Sequence, residues 1–324
     1  MNSASAIFLG KKWRKNPHLA IHPYRTALPD AVTLTLLIMP IAAIISKPQK
    51  PELEALLPEL ITWLKEHEFD SVLDPESAAY IGRSNDAIER PELPCHEPSI
   101  VISLGGDGTL LSAARAFAKT DTPILGVNLG SLGFLTEVPL AELYTTFEAW
   151  MQGKAIVDAR SLMHAELIRD GQLFRQWDAL NDVVLSKGAI ARMGEFAIEL
   201  DGQFVARFRA DGVIVSTPTG STAYTLAADG PILIPSVDAM VLTAICPHLL
   251  TIRPFVVPGS SEICVSVDGV PHETYLTVDG QEAVELLLGD RILCRRSERS
   301  VHLLRLHPNG LFNVLRSKLS WGER

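Results

Sequence analysis

The sequence predicts a chain in two parts, an α/β half built on a parallel sheet followed by a predominantly β half. Between residues 41 and 150, apolar β-branched runs alternate with stretches of helical periodicity, and glycine-rich turns follow two of the runs. Beyond about residue 155 this gives way to short alternating runs separated by Asp-Gly pairs. The length of 324 residues suits two domains better than one.

The first element expected is a flexible N-terminal arm over residues 1–38, which has basic residues and prolines but no sustained periodicity. The apolar run Ala31 to Ile45 behind that basic segment has the look of a signal peptide. It contains Pro40, is too short to span a bilayer, and its second half, Ile41 to Ile45, serves as a strand that processing would delete. An α/β domain is expected over 39–154, completed by 300–324. A helix from about Pro51 to His67 shows one buried face in Leu53, Leu56, Leu57, Leu60, Ile61 and Leu64. A short strand near Val72-Leu73 and a polar connector over 74–98 follow. A strand then enters Gly105-Gly106-Asp107-Gly108-Thr109 and a helix leaves it; the strand of residues 122–127 enters a second glycine turn, Asn128 to Thr136, and a helix over 139–150.

The β domain is expected over 155–299. Residues 195–200 and 203–208 flank Asp201-Gly202, a pair that supplies the positive φ angles of a type I′ hairpin turn. Asp170-Gly171 and Asp268-Gly269 mark similar turns. The tail over 303–319 reads as strands or a closing segment.

Composition narrows the function. A formal charge of −9 argues against a general nucleic-acid binder, and 47% hydrophobic with 21% charged residues is ordinary for a soluble globular protein. Cys95, Cys246, Cys264 and Cys294 form no C-x-x-C pair, which fits reduced thiols in the cytoplasm. The His-Glu dipeptides at 67, 96 and 272 lack the second histidine of a zinc-binding helix.

Two stretches carry chemistry. In the first, Gly105, Gly106, Gly108 and Thr109 place free backbone N–H groups at a helix N-terminus, where a phosphate is favoured. Asp107 is out of place in a phosphate turn unless it binds a metal ion or accepts a proton; alternatively Asp-Gly is a plain turn pair and Thr109 the helix cap. The second stretch runs from Asp211 to Tyr224, where a strand ends in hydroxyls and small residues and a helical segment starts at Thr222. Small side chains admit a base or ribose, hydroxyls bond it, and Tyr224 offers a π face. A Ser/Thr-rich loop with a helix cap is the plainer alternative.

Taken in order, Gly105–Thr109, Gly126–Leu135, Asn181-Asp182, Asp211–Tyr224 and Asp279-Gly280-Gln281 resemble the motifs of NAD kinases. The first motif alone is shared with diacylglycerol and sphingosine lipid kinases; the block Thr217 to Tyr224 is more specific. The resemblance implies a Rossmann-like α/β domain and a β-sandwich-like domain with the site between them. It implies a transferase of NADP biosynthesis that moves the γ-phosphoryl group of ATP to the adenosine ribose 2′-hydroxyl of NAD, with a divalent ion, Mg2+, and Asp107 as general base. It places NAD contacts on Asp107, Gly108, Asn181, Asp182, Arg192, Arg209, Asp211, Thr222, Ala223, Tyr224, Thr225, Leu226, Ala227 and Gln281. It further implies a cytoplasmic homodimer or homotetramer without nucleic-acid or membrane partners. Many family members carry Glu where this chain has Asp182. No P-loop, protein-kinase loop or G-x-G-x-x-G after a strand is present, so a hydride-transfer enzyme is not expected.

Overall fold

The computed structural model describes residues 39–130, 132–188, 192–269, 274–305 and 310–321. The expected N-terminal arm, Ser131 of the second glycine turn and the His272-Glu273 dipeptide lie outside them.

The α/β half begins with β1 (Ile41–Ser46), α1 (Glu52–Glu66), β2 (Asp70–Leu73) and α2 (Pro75–Tyr80). It continues with β3 (Ile100–Gly105), α3 (Asp107–Ala116), β4 (Ile124–Asn128), the two-residue β5 (Val138–Pro139) and α4 (Leu143–Met151). Strands β2, β1, β3 and β4 are parallel neighbours in that order. Every residue of β3 and β4 is buried, as expected where helices cover both faces of a parallel sheet. α1 buries Leu53, Leu57, Leu60 and Leu64 in a single stripe against it.

The polar connector expected over 74–98 instead contains α2. Asp74 caps that helix, its carboxylate accepting the Ser77 N–H at 2.8 Å, and Pro75 occupies the first turn. α3 starts at Asp107, two residues ahead of Thr109, with Gly106 at the N-cap, so Thr109 is not the cap.

The β half comprises β6 (Ile156–Arg169), β7 (Gln172–Ala179), β8 (Asp182–Lys187), β9 (Gly194–Leu200), β10 (Gln203–Ala210) and β11 (Gly212–Ser216). The short α5 (Tyr224–Ala227) follows, then β12 (Ala239–Ile245), β13 (Phe255–Pro258), β14 (Ile263–Gly269), β15 (Thr274–Val278), β16 (Glu282–Glu285), β17 (Arg291–Arg305) and α6 (Gly310–Leu319). One sheet has the order β13-β12-β11-β8-β15-β16. The other continues from the parallel strands through β17 to β14, β9 and β10, with β6 also paired to β17 and β7 paired to β6. Val183, Leu185, Val213 and Val215 of the first sheet share a core with Phe196, Ile198, Val265 and Ile292 of the second, which makes the β half a sandwich.

β17 belongs to both halves, since it pairs antiparallel with β6 and β14 and meets β4 in parallel at Leu303 and Ile124. The tail therefore supplies a strand to the parallel sheet, but its last part is the helix α6. The adjacent residues Val314 and Leu315 are both buried there, which a helix allows and an alternating strand does not. At Asp170-Gly171 and Asp201-Gly202 both residues have positive φ, the geometry of the expected turns. Asp268-Gly269 is not such a turn: both residues belong to β14, next to a bulge opposite Glu195.

Candidate active site

The first glycine turn ends β3 at the carboxyl edge of the parallel sheet and starts α3, so its N–H groups lie at a helix N-terminus. A Cβ on Gly105 would collide with the Thr109 side chain, which packs under the turn. Asp107, half-buried, is held by the second glycine turn. Its Oδ2 accepts from Phe134 N–H at 2.9 Å, and its Oδ1 accepts from the Leu135 N–H, the Thr136 N–H and the Thr136 hydroxyl, each at 3.0 Å. Oδ1 is thus crowded with donors, whereas Oδ2 keeps acceptor capacity. A Cβ on Gly133 would strike Asp107 Oδ1 and Thr136 Oγ1, so glycine is required for this approach. Asn128, at the end of β4, accepts from Gly130 N–H at 2.6 Å and donates to Thr136 Oγ1 at 3.1 Å, which fixes the turn from its other side.

The β half meets this turn along α3. Gln281 Nε2 donates to the Gly108 carbonyl at 2.9 Å, and Arg115 reaches Glu282 at 3.4 Å. Gln281 follows the tight Asp279-Gly280 turn, where both residues have positive φ. Asp279 is the anchor of this wall. Its carboxylate accepts the N–H groups of Leu180, Asn181 and Asp182 at 2.9, 2.7 and 3.1 Å. Burial pushes both carboxyls above the usual range. Asp182 rises to about 7, first through burial and then through the neighbouring Asp279 charge, against the Tyr224 N–H that donates to it. Asp279 rises through burial despite its three N–H partners. Asn181 Oδ1, Gln281 Oε1 and Thr225 Oγ1 are buried without a partner among the described residues.

In the loop from Thr217 to Thr222 the hydroxyls of Thr217, Ser221 and Thr222 are spent on backbone carbonyls. Thr217 donates to the Leu180 carbonyl at 2.6 Å, Ser221 to Pro218 at 2.6 Å and Thr222 to Thr219 at 3.1 Å. These groups build the loop and are not spare donors for a nucleotide, contrary to the expectation from sequence. Gly220 lies so close to Asn181 that a Cβ would overlap its backbone, which brings Asn181 and the start of α5 together. Within α5 and its approach Thr225 is buried, Thr222, Ala223 and Leu226 are half-buried, and Tyr224 and Ala227 are exposed.

One group of expected residues thus lies together: Asp107, Gly108, Asn181, Asp182, the segment Thr222–Ala227 and Gln281. Asp211 and Arg209 do not join it. In the β8/β11 pair Ser216 faces Asp182, while Gly212 faces Ser186. Asp211, ion-paired to Lys187 at 3.1 Å, therefore stands about five residues along β8 from Asp182, roughly 17 Å away. Arg209 is exposed near the end of β10, and Arg192 is exposed ahead of β9. Asp279, Asn128, Gly133 and the N–H groups of 134–136 were not among the expected site residues. The Asp-Gly turn and the polar residue ending a buried strand were the available signals.

Comparison with known proteins gives one answer. The family model described as ATP-NAD kinase N-terminal domain matches residues 42–155, and that for the ATP-NAD kinase C-terminal domain matches 180–306. The chain is 59% identical over 282 residues to the NAD kinase of Acidobacterium capsulatum, covering 87% of this chain and 99% of that protein. It is 49% identical over 286 residues to the NAD kinase of Koribacter versatilis, covering 88% and 100%. Among solved structures it is similar to yeast NADH kinase complexed with NADH, with a TM-score of 0.81 and 27% identity over 88% of this chain and 89% of that one. An NAD kinase from Archaeoglobus fulgidus in complex with ATP shares the fold, with a TM-score of 0.68 and 24% identity over 87% and 100%. With both domain models matched and relatives aligned over nearly their whole length, this chain belongs to the NAD kinase family.

Proposed function

We propose that the protein transfers the terminal phosphoryl group of ATP to the 2′-hydroxyl of the adenosine ribose of NAD, giving NADP and ADP. The observation that carries this reading is the placement of Asp107. A carboxylate is held at a helix N-terminus, with Oδ2 open to another hydrogen bond, beside Gly108, whose carbonyl accepts from Gln281 of the polar wall. The ribose oxygen attacks the γ-phosphorus, the bond from that phosphorus to the β,γ-bridging oxygen breaks, and the hydroxyl proton passes to Asp107 Oδ2. A positioned base of this kind contributes ~10²–10⁴-fold. The glycine-turn N–H groups of Gly106 and Gly108 face the transferred phosphoryl group, while the Thr109 N–H donates to the Gly106 carbonyl at 3.0 Å and closes the turn.

The β wall holds the acceptor nucleotide. Asn181 Oδ1 and Gln281 Oε1 are acceptors for ribose hydroxyls or an amino group, and Asp182 serves the same purpose in either protonation state. The exposed ring of Tyr224 offers a face for stacking. Asp211, Arg209 and Arg192 are assigned to the other end of the dinucleotide, away from the reacting ribose. A divalent ion such as Mg2+ would be held mainly by the phosphate oxygens of the triphosphate, with Asp107 as the carboxylate at the turn, and would supply charge neutralisation there; among the described residues no cluster of three or more acidic, His or Cys side chains could hold one alone.

Among the described residues no helix is long and apolar enough to cross a membrane. We place the enzyme in the cytoplasm as a homodimer or homotetramer. Exposed Phe204 and Val205 on the edge strand β10, and Val256 on the edge strand β13, support association, because bare apolar edges favour pairing. The activity is tested by incubating purified protein with Mg-ATP and NAD and detecting NADP with an NADP-specific dehydrogenase. Failure to form NADP from a folded sample that binds both substrates would overturn the reading. Light scattering on the eluted peak tests the assembly, and a monomer would contradict it.

A further inference from the structure

A line of polar contacts, half-buried at Glu137, Arg305 and Asp158 and buried at Arg160 and Thr219, connects the turn that holds Asp107 to the loop that precedes Tyr224. Glu137, the residue after Thr136, meets Arg305 Nη2 at 2.7 Å. Arg305 Nε reaches Asp158 Oδ2 at 3.1 Å, and the same oxygen accepts from Arg160 Nε at 2.7 Å. Arg160 Nη1 then donates to Thr219 Oγ1 at 3.3 Å. Charges alternate along the line, and Arg160 is only 2% exposed, with its Nη2 unpartnered among the described residues.

This arrangement is costly. Burial lowers the pKa of Arg160 and raises that of Glu137, each against the pull of its ionic partner. Buried ion pairs are seldom more stable than apolar packing of the same volume. They do differ from apolar packing in direction: the planar guanidinium fork bonds two partners at fixed angles, and a lysine cannot. The two ends of the line, Glu137 and Thr219, lie on the segments that present Asp107 and the nucleotide loop.

We propose that Arg160 is a positioning residue for the phosphoryl transfer, fixing the turn that holds Asp107 against the Thr219 loop so that the proton acceptor and the bound ribose keep their spacing. The proposal rests on the reading of Asp107 as proton acceptor, and Asp107→Asn assayed alongside tests that reading separately.

Thr219→Val removes the hydroxyl, preserves the side-chain volume and leaves every ion pair in place; Thr219→Ser restores the hydroxyl. The expected result for Thr219→Val is a kcat lower by about tenfold, a KM for ATP within about twofold of the parent and a melting temperature within a few degrees. Thr219→Ser should return kcat to within about twofold. Arg160→Lys should lower kcat in the same direction. The double variant Arg160→Lys, Thr219→Val should be no slower than Arg160→Lys alone, because the contact is already broken. Parental kcat in Thr219→Val, or losses that multiply in the double variant, would overturn the proposal. Should Arg160→Lys fail to fold, the Thr219 pair decides: loss with Val and recovery with Ser supports the role, and parental kcat in both refutes it.

Discussion

On the α/β side of the site the polar groups are mainly donors: the N–H groups at the start of α3, and those of residues 134–136, which hold the Asp107 carboxylate. On the β side the corresponding groups are acceptors, namely Asn181 Oδ1, Gln281 Oε1 and the raised carboxyl of Asp182. Backbone donors at a helix end suit phosphate oxygens and cost little to maintain, because orphan N–H groups exist there in any helix. Buried acceptors suit hydroxyl and amino groups, and each is expensive until a ligand bonds it. The contrast separates phosphoryl transfer on one wall from recognition of the acceptor nucleotide on the other.

The largest expected effect comes from breaking the exception on the donor wall. Asp107→Asn keeps size and turn propensity but removes the proton acceptor, so kcat should fall by ~10²-fold or more while the melting temperature holds within a few degrees. Steady-state kinetics check this, and a kcat within about threefold of the parent would contradict the general-base role. If Asp107 instead mainly holds Mg2+, raised metal should restore part of the loss and the KM for ATP should suffer first.

Gly133→Ala attacks the same wall indirectly. The added methyl must displace Asp107 Oδ1 or Thr136, so kcat should fall by about tenfold with a destabilisation of about 1–3 kcal/mol. Thermal melts and kinetics on one preparation measure both, and unchanged kcat would show that the spacing is not critical.

On the acceptor wall, Gln281→Ala removes the bond to Gly108 and an acceptor oxygen. The KM for NAD should rise about three- to tenfold, with kcat changed less. A rise confined to the KM for ATP would place Gln281 with the donor nucleotide instead.

The smallest effect is a pH slope. Asp182 has a folded-state pKa of about 7, above the unfolded value of about 3.9. Between these values the folded chain keeps a proton that the unfolded chain has released, so this contribution to stability is fully present below about pH 4 and is lost as the pH rises through 7. Asp182→Asn removes the titration. The melting temperature of the variant relative to the parent should rise by a few degrees between about pH 5 and pH 8. A flat difference in scanning calorimetry would contradict the burial of that carboxyl.

What could be read in the sequence was local. Strand β3, its glycine turn and α3 follow from a β-branched run, three glycines and a helical period, and the hairpin at Asp201-Gly202 from its turn pair. The donors to Asp107 come from 27 to 29 residues along the chain, and no pattern at that distance announces them. The hydroxyls of Thr217 and Ser221 looked like ligand groups because composition does not tell whether a loop bonds a ligand or itself. The polar composition of α2 hides it in the sequence, although its Asp-Pro start is a legible cap. Asp268-Gly269 has the composition of a turn, yet Asp268 pairs with Arg207 at 2.8 Å and Gly269 lies opposite Glu195, so pairing within the sheet outweighs local propensity.

The division between the two walls is tested most directly by calorimetric titration of NAD, without ATP, into Asp107→Asn and Asn181→Ala. The account predicts a Kd within about threefold of the parent for Asp107→Asn, since an amide still bonds the ribose hydroxyl. For Asn181→Ala it predicts a Kd weaker by about tenfold, the loss of one buried hydrogen bond. Equal weakening by both variants, or a larger loss at Asp107 than at Asn181, would contradict it.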